Sequence, residues 1–147
     1  MGRLLEPGWY CLEDVEVGDR LTTPGVQVGE SHVLGFAGLT GDFFALHVDD
    51  LAARRLGFER RVAHGLLGLA LTDGMKNRAE ARFRGVAPLE RSWRFVAPIL
   101  IDDRIEAAIE AVAEGPTRRP DRGILTLALT VANQTGTVVQ EGRNVPM

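Results

Sequence analysis

The chain of 147 residues contains one cysteine, Cys11, and no run that approaches the roughly 20 consecutive apolar residues of a membrane-spanning helix. A single cysteine excludes an intrachain disulfide, and a reducing compartment is the simple interpretation. The first ten residues include Arg3, Glu6 and Pro7 and lack the apolar stretch of a secretory signal. We therefore expect a cytoplasmic protein without a membrane partner.

Positive charge and metal-binding patterns are scarce as well. Seventeen Lys and Arg residues stand against 20 Asp and Glu residues, and the net charge is −3. Proteins that bind nucleic acid usually carry a basic face, so we expect no nucleic-acid partner. The patterns H-E-x-x-H, C-x-x-C and G-x-S-x-G are absent. We therefore expect neither a metal site nor a serine nucleophile of that type.

The composition is that of one ordinary domain. Hydrophobic residues make up 45% and charged residues 25% of the chain, and its length suits a single core. Residues 1–20 are interpreted as an N-terminal arm that leads to a strand over 21–28. The pair Pro24-Gly25 interrupts that strand and predicts a bend or a sheet edge.

Residues 30–63 carry the signals of short helices. Gly41 is a typical helix terminator, and Asp49 or Asp50 can cap a second helix that Gly57 ends. Residues 65–78 then read as one helix with apolar residues on nearly every side. A helix of that kind in a globular protein is usually buried. We expect it to be the central helix of the domain.

Residues 82–147 supply the strands of a sheet. Apolar and polar residues alternate over 91–98 and again over 124–133, and a last strand follows Thr135-Gly136. Residues 104–114 fit a helix at i, i+4, i+7 and fit a strand by alternation, so periodicity alone leaves both open. The order of elements predicts an α+β domain with helices on one face of an antiparallel sheet.

Two polar side chains, Asp42 and His47, interrupt an otherwise apolar stretch. Their spacing of five residues suits neither one helical face nor strand alternation, so a turn must place each side chain separately. A carboxylate and an imidazole in that arrangement can share acid and base work on one water or one carbon acid. Taken singly, Asp42 could close a turn after Gly41, and His47 could be a core histidine.

The pattern around these two residues resembles that of a known family. F-A-x-L-T-G-D-x-x-x-x-H-x-D begins at Phe36, and G-F-x-x-R-V-A-H-G-x-L begins at Gly57. Together they are similar to the hydratase motif of MaoC-like dehydratases and (R)-specific enoyl-CoA hydratases. The resemblance implies a single hot-dog domain over 1–147, in which a curved antiparallel sheet wraps around a central buried helix. It also favours a strand over 104–114.

The resemblance further implies a site and a reaction. Asp42 and His47 would be catalytic, and water would be added to or removed from the α,β double bond of an acyl thioester. The N–H of Gly65 would polarise the thioester carbonyl, with His64 and Phe44 beside the substrate. No cofactor would be needed besides the coenzyme A that forms part of the substrate. A carrier-protein thioester is the other substrate form, and a homodimer or a higher homo-oligomer is the expected assembly.

The sequence departs from the family pattern at three positions. Phe44 and Ala45 stand where the family usually has Asn-Pro, and Ala70 stands where some hydratases have Ser. The substitution at Phe44 predicts a narrower or redirected acyl pocket. Two other functions remain open on this fold: a thioesterase that uses Asp42 or Asp73, and a non-catalytic module that binds acyl-CoA.

Overall fold

The computed structural model describes residues 2–147 and contains a long sheet, a short two-stranded ladder and four α-helices in that part of the chain. The helices are α1 (Glu30–Thr40), α2 (Ala45–Val48), α3 (Asp50–Arg55) and α4 (Gly65–Arg78). The strands are β1 (Gly8–Tyr10), β2 (Arg20–Thr22), β3 (Val26–Gln27), β4 (Ala81–Phe83), β5 (Pro88–Phe95), β6 (Arg104–Pro116), β7 (Gly123–Ala132) and β8 (Val138–Pro146).

The long sheet has the strand order β2-β6-β7-β8-β5, and β3 also pairs with β6. Every pairing in it is antiparallel. In the sequence, the four helices follow β3 and precede β4. In space, α4 packs on the inner face of the sheet. This α+β architecture confirms the predicted fold class.

The segment that sequence periodicity left open is the strand β6. Its residues alternate between buried and exposed, with Ile105, Ala107, Ile109 and Ala111 inside. Alternation of this kind places one face of a strand on the core. The pairing of Ile109 with Leu129 on β7 aligns two buried faces, and this contact between strands excludes the helix.

The central helix α4 is buried on one side only. Leu67, Gly68, Thr72 and Met75 face the core, whereas Leu66 is 60% exposed. Ala70 and Gly74 continue the exposed stripe at intervals of four residues. The helix is thus the central helix of the domain, as predicted, and its second apolar face is exposed because a single curved sheet covers only one face.

The N-terminal arm is more ordered than its composition indicated. The strand β1 pairs in parallel with β4, and Leu5 is buried in the core. Asp19 accepts hydrogen bonds from the N–H of Glu16 and from Arg3. The hydrogen bond from the Glu16 N–H has the largest effect on the pKa of Asp19 and lowers it. Burial acts in the opposite direction, but the bonds from Arg3 add to the lowering, so the pKa lies below its usual value. These contacts attach the arm to the domain.

Helix length can be compared with the thickness of a bilayer. Over residues 2–147, no helix combines the length and the apolar character that crossing a membrane requires. The longest helix, α4, has 14 residues.

Candidate active site

The turn after α1 places Asp42. Gly41 ends the helix in the left-handed conformation, with φ 81°, which a glycine adopts without steric cost. The N–H of Asp42 donates to Thr40 Oγ1 at 3.2 Å, and Asp42 Oδ1 accepts from the N–H of Phe44 at 3.2 Å. The carboxylate is thereby held outside both neighbouring helices, and its side chain is 52% exposed.

His47 lies on the short helix α2, and a backbone carbonyl group orients its ring. Its Nδ1 is 2.6 Å from the carbonyl oxygen of Val62. A carbonyl oxygen only accepts, so Nδ1 carries the hydrogen, and Nε2 of the neutral ring has a free lone pair. This Nε2 is 3.9 Å from Asp42 Oδ2. The structure thus brings together the two residues that were predicted to be catalytic.

The spacing between these two atoms has a chemical consequence. At 3.9 Å the carboxylate and the imidazole are too far apart for a good direct hydrogen bond. One water molecule can lie within hydrogen-bond distance of both atoms, since each such bond is about 2.8 Å long. The pair is therefore arranged to hold a water between an acid and a base.

His64 lies behind this pair. Its ring stacks on His47 with 3.8 Å between centroids and packs against Phe36 at 4.9 Å. Its Nε2 donates to the backbone oxygen of Asp42 at 2.8 Å, and its buried Nδ1 has no partner within residues 2–147. His64 was predicted to contact substrate. In the structure the ring is buried, stacks on His47 and bonds the backbone oxygen of Asp42.

An open groove of about 690 Å³ begins at His47 and continues along the start of α4. Its walls are mostly apolar and include Phe58, Leu66, Phe95, Val96 and Ile99. Gln140 forms its polar floor. Such a groove can accept an apolar chain that extends from a polar reacting group.

Gly65 is the first residue of α4 and lines the groove. The first N–H groups of a helix have no partner inside it, and the N–H of Gly65 has no acceptor within residues 2–147. A Cβ at this position would lie 2.8 Å from the ring of Phe95. A larger residue would therefore have to displace the Phe95 ring, and the unpaired N–H can stabilise an oxygen that becomes negative.

Three other residues from the sequence analysis lie away from the groove walls. Phe44 is 57% exposed and contacts the His47 ring edge-on, with 6.0 Å between centroids. Ala70 is on the exposed stripe of α4. Asp73 is two turns from Gly65 and lines a different cavity, where it is bound to Arg91 and Lys76. The structure therefore does not bring Asp73 to His47.

The donor atoms of Asp42, His47 and His64 lie within 4.8 Å of one another, which raises the question of a metal. The two imidazole rings are stacked with only 26° between their planes. Lone pairs of stacked rings run side by side and do not converge on one point. Each ring donates from one nitrogen to a backbone oxygen, which leaves one nitrogen per ring without a partner. This geometry suits acid and base chemistry better than metal binding.

Sequence reasoning missed Phe95, Gln140 and the carbonyl of Val62. Gln140 is buried, donates to the Gly65 oxygen at 2.9 Å and accepts from Trp93 Nε1 at 3.0 Å. A glutamine on the inner face of a strand was the available signal, because a buried amide must find partners. Val62 belongs to the quoted motif, but nothing in a sequence shows what its carbonyl binds, and Phe95 is an ordinary apolar residue of a strand.

Comparison with known proteins identifies the family of the chain. Residues 14–139 match the MaoC-like domain family. The (R)-specific enoyl-CoA hydratase of Aeromonas caviae is 30% identical over 133 residues, which cover 90% of this chain and 95% of that protein. The MaoC-like dehydratase of Rhodospirillum rubrum superposes with a TM-score of 0.84 at 28% identity, covering 92% of this chain and 93% of that one.

A third comparison concerns the fold alone. A Mycobacterium tuberculosis protein with a double hotdog fold superposes with a TM-score of 0.79 at 24% identity, covering 92% of this chain and 42% of that one. The curved sheet around α4 is therefore a hot-dog fold, as the resemblance implied. With the family match over most of its length and the Asp42–His47 pair at its groove, the chain belongs to the MaoC-like family of hydratases and dehydratases.

Proposed function

We propose that this protein adds water to, or removes it from, the α,β double bond of an enoyl thioester, with coenzyme A as the thiol. The observation that carries the proposal is the 3.9 Å separation of His47 Nε2 and Asp42 Oδ2 at the mouth of an apolar groove. The 30% identity to the enoyl-CoA hydratase of Aeromonas caviae supports the same reaction.

In the hydration direction, the water between Asp42 and His47 attacks the β-carbon of the enoyl group. The electrons of the double bond move towards the thioester carbonyl, whose oxygen becomes negative beside the Gly65 N–H. The proton that leaves the water is taken up by the Asp42–His47 pair, and one proton is returned to the α-carbon. Asp42 is our candidate base, and His47 Nε2, with its free lone pair, orients the water and carries the proton.

The direct test is a panel of enoyl-CoA thioesters of increasing chain length, followed by loss of the conjugated absorbance. Release of free thiol from saturated acyl-CoA is measured in parallel. Loss of absorbance without thiol release supports the proposal. Thiol release alone would make the protein a thioesterase, and tight binding without turnover would make it a binding module.

Phe44 is expected to act through His47 instead of through the acyl chain. The edge-on contact of its ring with His47 is worth about 0.5–1.5 kcal/mol in comparable aromatic pairs. We expect Phe44→Ala to lower turnover by roughly tenfold at most, by a similar factor for every chain length.

The control is Phe43→Ala. Phe43 is exposed to the same extent as Phe44, at 57%, and forms no aromatic ring pair within residues 2–147. The measurement is the turnover of both variants across the thioester panel. A loss at Phe44 that grows or shrinks with chain length would show that Phe44 contacts the acyl group, as the sequence analysis supposed.

We also propose that two copies of the chain assemble through β5 and the exposed stripe of α4. The strand β5 pairs with β8 on one side only, and Leu66, Leu89, Phe95 and Val96 are exposed around that edge. An exposed apolar edge strand is a liability that proteins usually cover. Sedimentation should therefore show a homodimer at micromolar concentration.

A variant pair tests the location of the interface. Leu89→Glu puts a charge on the β5 edge and should shift the protein towards the monomer. Leu4→Glu changes a leucine on the N-terminal segment that is 61% exposed, against 52% for Leu89, and should leave the assembly intact. A stable monomer of the parent protein, or no effect of Leu89→Glu, would contradict this interface.

A further inference from the structure

A second cavity, of about 220 Å³, lies at the far end of α4 from the catalytic pair. Asp73 and Lys76 of α4 line it from above, and Arg91, Leu127 and Asn144 line it from the sheet. Eight residues of helix separate Asp73 from Gly65, which is about 12 Å at 1.5 Å per residue. The cavity is thus distinct from the groove at His47.

The sheet side of this cavity is built by strand register. Asn144 on β8 is directly opposite Arg91 on β5 and Leu127 on β7. Residues opposite each other in an antiparallel sheet point to the same face, so these three side chains stand in one row under α4. Their arrangement is a consequence of the fold and not of one flexible loop.

Asn144 is the unusual member of the row. It is 1% exposed, and neither its Oδ1 nor its Nδ2 has a hydrogen-bond partner within residues 2–147. A buried amide without partners is costly, and nearly all buried polar groups in proteins are paired. A group in the cavity that both accepts and donates a hydrogen bond would satisfy this side chain.

The charge of the lining indicates what that group is. Arg91 and Lys76 bind Asp73 at 2.8 Å and 2.9 Å. Burial would raise the pKa of Asp73, but the hydrogen bonds from Arg91 and Lys76 outweigh it and hold that pKa below its usual value. Arg82 also lines the cavity, but its guanidinium donates to the Ala79 oxygen and lies over the Trp9 ring, so two cations and one anion remain. The surplus of positive charge favours an anionic ligand.

We propose that this cavity binds a small hydroxycarboxylate, with its carboxylate at Arg91 and Lys76 and its hydroxyl paired with Asn144. The carboxylate supplies acceptors for the basic residues and for the Asn144 amide hydrogens. The hydroxyl supplies the donor that Asn144 Oδ1 lacks. The volume suits a molecule of several non-hydrogen atoms, since one water occupies about 30 Å³ of liquid.

The test is titration calorimetry of the intact protein with malate, succinate, butyrate and inorganic phosphate at constant ionic strength. We expect saturable binding of malate, weaker binding of succinate, and still weaker binding of butyrate and phosphate. Equal binding of phosphate, or no binding of malate, would overturn the proposal. In the latter case water alone would occupy the cavity.

Three variants locate the binding. Asn144→Leu and Arg91→Gln should each weaken malate binding at least tenfold. Arg94→Gln is the matched control, because Arg94 is on the same strand and is paired with Glu141 outside the cavity. Malate binding that survives both cavity variants, or that Arg94→Gln weakens equally, would place the ligand elsewhere.

A further readout covers the case in which a variant folds poorly. Malate should raise the melting temperature of the parent protein and of Arg94→Gln, but not that of Asn144→Leu. A melting shift of the same size in Asn144→Leu would overturn the proposal.

A second titration distinguishes two sources of the carboxylate. The CoA thioester of a hydroxydicarboxylic acid is added to protein already saturated with malate. If the thioester displaces malate, the carboxylate that this cavity binds is the free end of an acyl chain. If both bind at once, the ligand of the cavity is a free acid.

Discussion

Asp42→Asn and His47→Gln should each lower the turnover of enoyl thioesters by roughly 10²–10⁴-fold, the usual contribution of a positioned acid or base. Asparagine keeps the oxygen that accepts from the Phe44 N–H, and glutamine keeps a donor for the Val62 oxygen. Both changes therefore preserve the local hydrogen bonds while removing the group that exchanges a proton. Substrate affinity should change little.

The double variant is the sharper part of this experiment. If the two residues hold one water between them, either loss disables the pair, and the double variant should be little slower than the slower single variant. If the fold-reductions in turnover of the two single variants multiply in the double variant, Asp42 and His47 act in separate steps. Near-normal turnover in either single variant would contradict the acid–base assignment.

Asp49→Asn provides the control for a carboxylate-to-amide change nearby. Asp49 caps α3 by accepting from the N–H groups of Leu51 and Ala52, at 2.8 and 3.3 Å. Asparagine is about as good an N-cap as aspartate, so stability should hardly change. Turnover should stay near the parental value, because the Asp49 carboxylate is bound to the start of α3 and is not part of the Asp42–His47 pair.

Removal of the Gly65 N–H should lower turnover by about 10²–10³-fold, the loss typical of one oxyanion donor. Proline is the substitution that removes it, and proline is well tolerated at the first position of a helix. His64, the preceding residue, has φ −55° and ψ 134°, which suits a residue before proline. The backbone is therefore already compatible with Gly65→Pro.

Steric effects must be separated from the loss of the donor. Any side chain at this position approaches the Phe95 ring, so the comparison is made in a Phe95→Ala background. There, Gly65→Ala and Gly65→Pro both add a Cβ, but only proline lacks the N–H. Turnover in the proline variant should be lower by the stated factor, as measured by single-turnover kinetics. Equal rates for alanine and proline would exclude an oxyanion role for this N–H.

Much of the fold could be predicted from local pattern. The apolar run from Gly65 to Arg78 is a helix with those bounds, and the alternation around Leu127 and Leu129 is a strand. Gly41 ends α1 because its φ of 81° is accessible to glycine. These features depend on neighbours within a few residues, so the sequence alone determines them.

That Asp42 and His47 form one site was also predictable, but the surroundings of this site were not. The spacing of Asp42 and His47, together with the family pattern, indicated a turn that sets each side chain separately. The position of His64 was not predictable, because its stacking on His47 brings together residues 17 positions apart across α2 and α3. Only the packed structure shows that His64 contacts both His47 and the backbone of Asp42.

Contacts between distant strands were decided by tertiary structure alone. The strand β6 could equally have been a helix until its pairing with β7 aligned two buried faces. Gln140 reaches Gly65 across 75 residues, and Asn144 meets Arg91 only through the register of β8 with β5. Side chains on different strands become neighbours through register, and register is set by the burial of whole sheet faces, which no local pattern contains.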